Sequence, residues 1–251
     1  RVEEGAGHAC GHHLFGAGSL AAALVTAEWL EREGVSGTIR LYGTPAEEGG
    51  SGKVYMVRAG LMDDVDVMLH WHAGSQNSAS ASSSLANKSG KFRFYGQSAH
   101  AASAPWRGRS ALDGVEAMHD MVNMMREHVT PASRMHYVIT SGGSAPNVIP
   151  DFAESYIYVR HPDPNEVRRM FDWVTRIAEG AAMGTETRME LEVIHGIYNV
   201  LPNEALGRAM HANLTAVGGV EYTAEERRFA EMIQNTFPEG VPPIERANEI
   251  E

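Results

Sequence analysis

Lys91-Phe92-Arg93-Phe94 alternates a cation with an aromatic ring. That period of two puts one side of a strand on a core and leaves the other in water. Downstream, Leu112, Val115, Met118, Val122, Met125 and Val129 recur at helical spacing, which predicts a long amphipathic helix. Two more strands are expected over 136–140 and 154–160, the second with Ile157 and Val159 facing one way. Val167, Phe171, Val174 and Ala178 mark a second helix, with Arg168, Arg169, Asp172 and Arg176 on its wet side. Met189, Leu191 and Val193 close the set as a fourth strand. Strand–helix–strand–strand–helix–strand is the split βαβ, ferredoxin-like (βαββαβ) order.

Working outward from this block, the upstream rhythm is different. Leu20, Leu24, Ala27 and Leu30 predict a helix, with Gly34 as its stop. A strand over 38–43, a helix over 51–60 and a strand over 65–71 follow. Strands separated by helices imply a parallel sheet with helices on both faces. The Ser-, Ala- and Asn-rich stretch 74–86 reads as an exposed connection. Helical patterns resume after Leu201, and 237–251 is polar, Pro-containing and expected to be loose. The expected architecture is therefore α/β, with 87–197 inserted as a compact ferredoxin-like α+β domain between a first part, 1–86, and a resumed part, 198–251, of the host domain.

Composition narrows the function classes. The chain has 251 residues, 43% hydrophobic and 21% charged, with Lys+Arg 21 against Asp+Glu 32 for a formal charge of −11. Phosphate backbones and anionic membranes repel so acidic a chain, so neither nucleic acid nor membrane is an expected partner. One Cys cannot form an internal disulfide, which fits a reducing compartment or simple indifference to redox, and a cytoplasmic location is the expectation. The glycine pattern Gly16-Ala-Gly-Ser-Leu-Ala21 imitates a dinucleotide-binding turn. No strand precedes it, so small residues packing a helix are the better reading.

Three segments concentrate metal-ligand residue types: Gly7-His8-Ala9-Cys10-Gly11-His12-His13, Thr44-Pro45-Ala46-Glu47-Glu48-Gly49-Gly50 and His70-Trp71-His72. Each falls near a predicted strand end or strand-to-helix turn, where open α/β sheets build their sites. Alone, each has a bland explanation: a buried thiol, a solvated acidic pair, two of the twelve histidines. Together, thiolate, imidazole and carboxylate are the donors a borderline divalent cation takes. Adjacent carboxylates in a turn point different ways. One of the Glu47-Glu48 pair can bind metal while the other takes a proton from water, whose pKa coordination lowers from 15.7 to about 7.

His8-Ala-Cys-Gly-His12, Pro45-Ala-Glu-Glu-Gly-Gly50, Gly96-Gln-Ser-Ala-His100-Ala and Pro146-Asn147-Val-Ile-Pro150 resemble the aminoacylase/carboxypeptidase family of dinuclear metallohydrolases. The cysteine variant resembles the subfamily that also holds plant auxin-conjugate hydrolases. The resemblance implies a zinc-peptidase-like host domain and a lid domain that also dimerises. It implies two divalent ions per site, Zn2+ or Mn2+, with Cys10, His12, Glu48 and His72 as metal ligands. Glu47 matches the catalytic carboxylate. His100 matches a histidine that crosses a dimer interface to stabilise the oxyanion in the partner's site. Asn147 and Arg160 match lid positions that bind substrate polar groups, and an Arg fork suits a carboxylate. The residue after the second ligand, usually Asp in the family, is His13. The remaining histidines, His119, His128, His136, His161, His195 and His211, are expected to be structural or on the surface. The family also has a segment before the cysteine motif and a C-terminal segment bearing a last ligand histidine. No His follows Glu221, so the chain is expected to be the middle of a longer enzyme.

The function so implied is hydrolysis of an aroyl- or acyl-amino-acid amide, with the folate breakdown product p-aminobenzoyl-glutamate favoured as substrate. A dipeptidase or an N-acyl-amino-acid or auxin-conjugate-type hydrolase is an alternative. So is a non-catalytic partner subunit that lends the lid histidine. The expected assembly is a homodimer, or a heterodimer with a homologous subunit, through the lid. A Cys10–His12 nucleophile pair is disfavoured, because such pairs come from distant segments.

Overall fold

The alternation at 91–94 lies within a ten-residue strand whose even-numbered side chains Phe92 and Phe94 are fully buried. A computed structural model describes residues 8, 10–238 and 243–250. In chain order its elements are α1 (His12–Glu33), α2 (Gly52–Arg58), β1 (Ala86–Tyr95), α3 (Ala111–Met125), β2 (Arg134–Ser141), β3 (Phe152–His161), α4 (Pro164–Gly184), β4 (Arg188–Ile197), α5 (Glu204–Val217) and α6 (Ala224–Gln234). The protein is thus mixed α/β. It divides into two compact units: Arg1–Thr44, Leu61–Ala81 and Pro202–Glu251 in one, Pro45–Gly60 and Ser82–Leu201 in the other.

The second unit is built on an antiparallel sheet in the order β2-β3-β1-β4. The helices α3 and α4 cover one face. Val115, Met118 and Val122 of α3 and Met170, Phe171 and Val174 of α4 pack on Phe92, Phe94, Ile157 and Val159. Period two meeting period 3.6 closes this core. Both helices start where a side chain accepts an otherwise orphaned backbone N–H. Ser110 accepts from Asp113 and Asp163 from Asn165, with Pro164 in the first turn. Gly114 lets α3 approach β1, since a Cβ there would stand 2.5 Å from the Phe94 ring.

Two further features of this unit matter later. Inside the core, His119 of α3 lies 2.7 Å from Ser155 Oγ and stacks on Tyr137 at 3.7 Å between ring centroids. Burial pushes its imidazole pKa down to about 4. The opposite face of the sheet, away from α3 and α4, is polar. Arg93 and Lys91 meet Glu154 at 2.7 and 3.1 Å, and the Tyr156 hydroxyl donates to that of Tyr158 at 3.1 Å.

In the first unit, α1 ends at Gly34 (φ 65), whose N–H returns to the carbonyls of Leu30 and Glu31. The dinucleotide-like glycines lie inside α1, and a Cβ on Gly18 would stand 3.0 Å from Trp71. Packing, not phosphate binding, accounts for the small residue. Segments 38–43 and 65–71, expected as parallel strands, form no ladder among the described residues. A strand is completed by a neighbour's N–H and C=O groups, which its own sequence does not contain. Instead Arg40 forks onto Asp64 at 2.5 and 2.6 Å, and the Tyr42 hydroxyl donates to the Leu61 carbonyl at 2.7 Å. Ile39, Leu41, Val67 and Leu69 stay exposed.

The tail expected to be loose is partly pinned. Asn77 N–H donates to the Glu249 carbonyl and its amide to that of Ala247. Residues 239–242 and 251 of that stretch lie outside the described residues. No helix among the described residues is long and apolar enough to cross a membrane.

Candidate functional site

Helix α1 begins eight residues before the apolar repeat that predicts it, so that His12 is its first residue. The left-handed Gly11 (φ 83) turns the chain into it. This start brings His12 beside Cys10, and the segment after Leu69 brings in His72. The Cys10 Sγ, one nitrogen of His12 and one of His72 all lie within 4.8 Å of one another. Cys10 Sγ stands 3.2 Å from His72 Nε2. Phe15 backs the group, 5.0 Å from the His12 ring and 4.9 Å from that of His72.

The His72 tautomer follows from its other nitrogen, which lies 2.8 Å from the Ala73 carbonyl. Only an N–H suits that oxygen, so Nδ1 carries the proton and Nε2 offers its lone pair towards Cys10. A carbonyl on the outer nitrogen is the arrangement that orients metal-ligating histidines. Zinc–sulfur and zinc–nitrogen bonds in tetrahedral geometry would hold the same two atoms about 3.5 Å apart. The residues fit a borderline divalent cation in donor type, tautomer and spacing.

In the second unit, the acidic pair sits on a turn closed by its own backbone. Gly50 N–H donates to the Ala46 carbonyl at 2.9 Å. Gly52 comes so near Pro45 that a Cβ on it would lie 2.0 Å from the carbonyl oxygen, so only glycine can stand there. Ala46 (φ 57) and Ser51 (φ 51) bracket Glu47-Glu48 in the left-handed region. Such residues cost of order 1 kcal/mol or more each and gather at functional sites. Both Glu47 and Glu48 are exposed. Glu48 bears on Tyr158, whose phenol pKa is pushed up to about 12 by burial first, then by Tyr156 and this charge.

His100 follows β1 and is pinned by an isolated bridge to Val148. Its Nδ1 accepts from the backbone N–H groups of Ala102 and Ser103, both at 3.2 Å. The proton of the neutral ring therefore sits on Nε2, a donor carried by an exposed side chain. Ala101 N–H donates to the Asn147 carbonyl at 3.0 Å, which brings Asn147 to His100. Arg160 is elsewhere. It pairs with Asn87, whereas Tyr95 pairs with Phe152 at the end of the strand nearest His100. Eight residues of strand put roughly 25 Å between those ends. Arg160 stacks on Tyr158, 5.3 Å from the ring, and so lies on the same side as Glu48's neighbour.

Among the histidines expected to be structural or superficial, His119 and His161 are buried and bonded, His161 to Thr130 Oγ1 at 2.8 Å. His195 is buried too, and its Nδ1 lies 3.1 Å from Ser51 Oγ. Nothing in the spacing could have paired residues 144 apart. His13, where the family usually has Asp, lies 4.6 Å ring to ring from His8.

The chain is similar to peptidases and amide hydrolases. Residues 1–243 match the description "Peptidase family M20/M25/M40". One of the subunits of p-aminobenzoyl-glutamate hydrolase from Escherichia coli (strain K12) is 45% identical over 232 residues, 92% of this chain and 48% of that protein. Xaa-Arg dipeptidase from Homo sapiens is 34% identical over 226 residues, 88% of this chain and 51% of that protein. The crystal structure of an aminobenzoyl-glutamate utilization protein from Klebsiella pneumoniae aligns with a TM-score of 0.53 at 26% identity, over 70% of this chain and 46% of that one. The chain spans about half the length of the curated relatives it matches. With nearly its whole length matched and its motifs in order, the chain belongs to peptidase family M20/M25/M40.

Proposed function

We propose that this chain is the part of a divalent-metal-dependent amidohydrolase that cleaves an aroyl- or acyl-amino-acid amide, with p-aminobenzoyl-glutamate as substrate. The observation that carries the reading is the Cys10, His12 and His72 group, with its donor atoms within 4.8 Å and the His72 tautomer set for a metal. Similarity to one component of a p-aminobenzoyl-glutamate hydrolase supports the substrate.

Cys10, His12, His72 and Glu48 would hold the metal, two ions of zinc or manganese type per site. When bound, such ions polarise the scissile carbonyl and acidify water. Glu47, the other carboxylate of the strained turn, takes the proton from the attacking water and delivers it to the leaving amine. Arg160 pairs as a fork with the substrate's free carboxylate. His100 donates through Nε2 to the oxyanion, and Asn147 beside it binds a substrate polar group. The run of strand between His100 and the Arg160 end supports supply of His100 from a partner subunit. In this reading 87–197 is an inserted ferredoxin-like lid that joins two copies, or this chain and a homologous subunit, on a zinc-peptidase-like host.

The test is Glu47→Gln in the full-length protein. Turnover of p-aminobenzoyl-glutamate should vanish while metal content stays that of the parent. Retained turnover overturns the assignment, and a panel of dipeptides and N-acyl amino acids reads the substrate. A parent without stoichiometric metal would instead favour a subunit that only lends His100.

A further inference from the structure

We propose that His195 is a positioning residue, which holds the Glu47-Glu48 turn in register with Arg160 through its bond to Ser51. The roles of Glu47, Glu48 and Arg160 rest on the amidohydrolase reading above; the mechanical link does not.

The link begins with a bulge. Along β4, Met189, Leu191 and Val193 oppose Phe94, Phe92 and Gly90 of β1, on the face covered by the helices. Strict alternation would put residue 195 on that face too. The register shifts between Ser89 and Gly90, so that His195 opposes Ser89 and Ile194 has no partner in the pairing. The extra residue turns His195 to the polar face. There its ring lies edge-on to Tyr158 at 5.4 Å, and Tyr158 in turn carries the Arg160 guanidinium.

Ser51 is the other half. It precedes α2, where a serine hydroxyl ordinarily accepts a backbone N–H of the first turn. Here the hydroxyl makes no such bond and is committed to His195 Nδ1 at 3.1 Å. Ser51 is 8% exposed and left-handed, three residues beyond Glu48. A strained turn persists only where its surroundings over-determine it, and this hydrogen bond is an anchor on the sheet itself.

The remaining nitrogen argues against a merely structural histidine. His195 is 9% exposed, and its Nε2 has no hydrogen-bond partner. Leaving a buried polar atom unpaired is unfavourable. An apolar side chain would fill the volume without that penalty, but it could not hold Ser51.

The experiment uses the full-length metal-loaded protein with Ser51→Ala, His195→Phe and His195→Asn. Asparagine places an amide near the position of Nδ1. Two readouts are taken: steady-state hydrolysis of p-aminobenzoyl-glutamate, and amide hydrogen exchange of peptides covering 45–58. Ser51→Ala and His195→Phe should lower kcat about tenfold, the worth of one well-placed hydrogen bond to a turn, with KM within about twofold. Exchange over 45–58 should quicken by a similar factor while β1 and β3 keep parental protection. His195→Asn should restore most of both. Unchanged exchange in Ser51→Ala overturns the inference, and so does a fall in kcat without faster exchange. Faster exchange in a protein whose parent hydrolyses no amide sinks the amidohydrolase reading and leaves the link standing. Ser51→Ala keeps the test decisive should His195→Phe fail to fold.

Discussion

Replacing His119 by Gln should remove much of the acid sensitivity of the four-stranded unit. His119 is 7% exposed, between Ser155 and the Tyr137 ring. Burial lowers its pKa from 6.5 to about 4. The neighbouring Asp120 charge opposes the shift without cancelling it. Stacking on Tyr137 would favour the cation by ~0.5–2 kcal/mol, less than the burial term. Because the folded value is the depressed one, the unfolded chain takes up the proton first as pH falls. The contribution is therefore complete above pH 6.5 and is lost between 6.5 and about 4. Its full size is about 3 kcal/mol, of which about 2 kcal/mol is gone by pH 5. Glu154, held below its ordinary value by Arg93, Thr140 and Lys91 against the cost of burial, acts only at lower pH. His195, lowered by burial and then by Arg160, adds to the parental loss but cancels in the comparison. Gln keeps a group near Ser155 and does not titrate. Urea unfolding at pH 7 and pH 5 should show the parent losing about 2 kcal/mol more than His119→Gln. A difference under about 0.5 kcal/mol would refute the argument.

Other outcomes follow from single contacts. Phe94→Ala empties a fully buried position under α3 and should cost about 3–5 kcal/mol in the same urea titration. Cys10→Ala removes the sulfur 3.2 Å from His72; in the full-length protein zinc affinity should fall more than about a hundredfold in competition with a chromophoric chelator. Under the proposed function, Arg160→Lys keeps the charge and loses the fork, so KM for p-aminobenzoyl-glutamate should rise about tenfold with kcat little changed.

The legible parts of the fold are those whose pattern is local. Phe92 and Phe94, Ile157 and Val159, and the apolar stripes of α3 and α4 each announce a buried face by their own spacing, and those faces meet in the core. The segments 38–43 and 65–71 are apolar enough to read as strands, yet pairing depends on a neighbour that no local pattern specifies. The bulge at Ile194 is silent as well, because Leu191, Val193 and His195 alternate as if nothing intervened. The candidate site divides the same way. Residue chemistry singles out Cys10, His12, Glu47, Glu48 and His72 without any distance. That Ser51 meets His195, and that Asn147 goes with His100 while Arg160 stands at the other end of the sheet, depends on where strands begin and end.

Under the proposed function, the left-handed Ala46 sets selection for heat resistance against selection for turnover. Glycine at position 46 would relieve the unfavourable backbone without disturbing the core, so a screen for survivors of heating has a ready gain there. At position 51 the same relief is offset, because it removes the hydroxyl bonded to His195; at position 46 it loosens the approach to Glu47. A library enriched by heat alone would drift towards a more durable chain with a less exact carboxylate pair, and one screened for both properties would keep Ala46 and Ser51 and find its stability in the four-stranded unit.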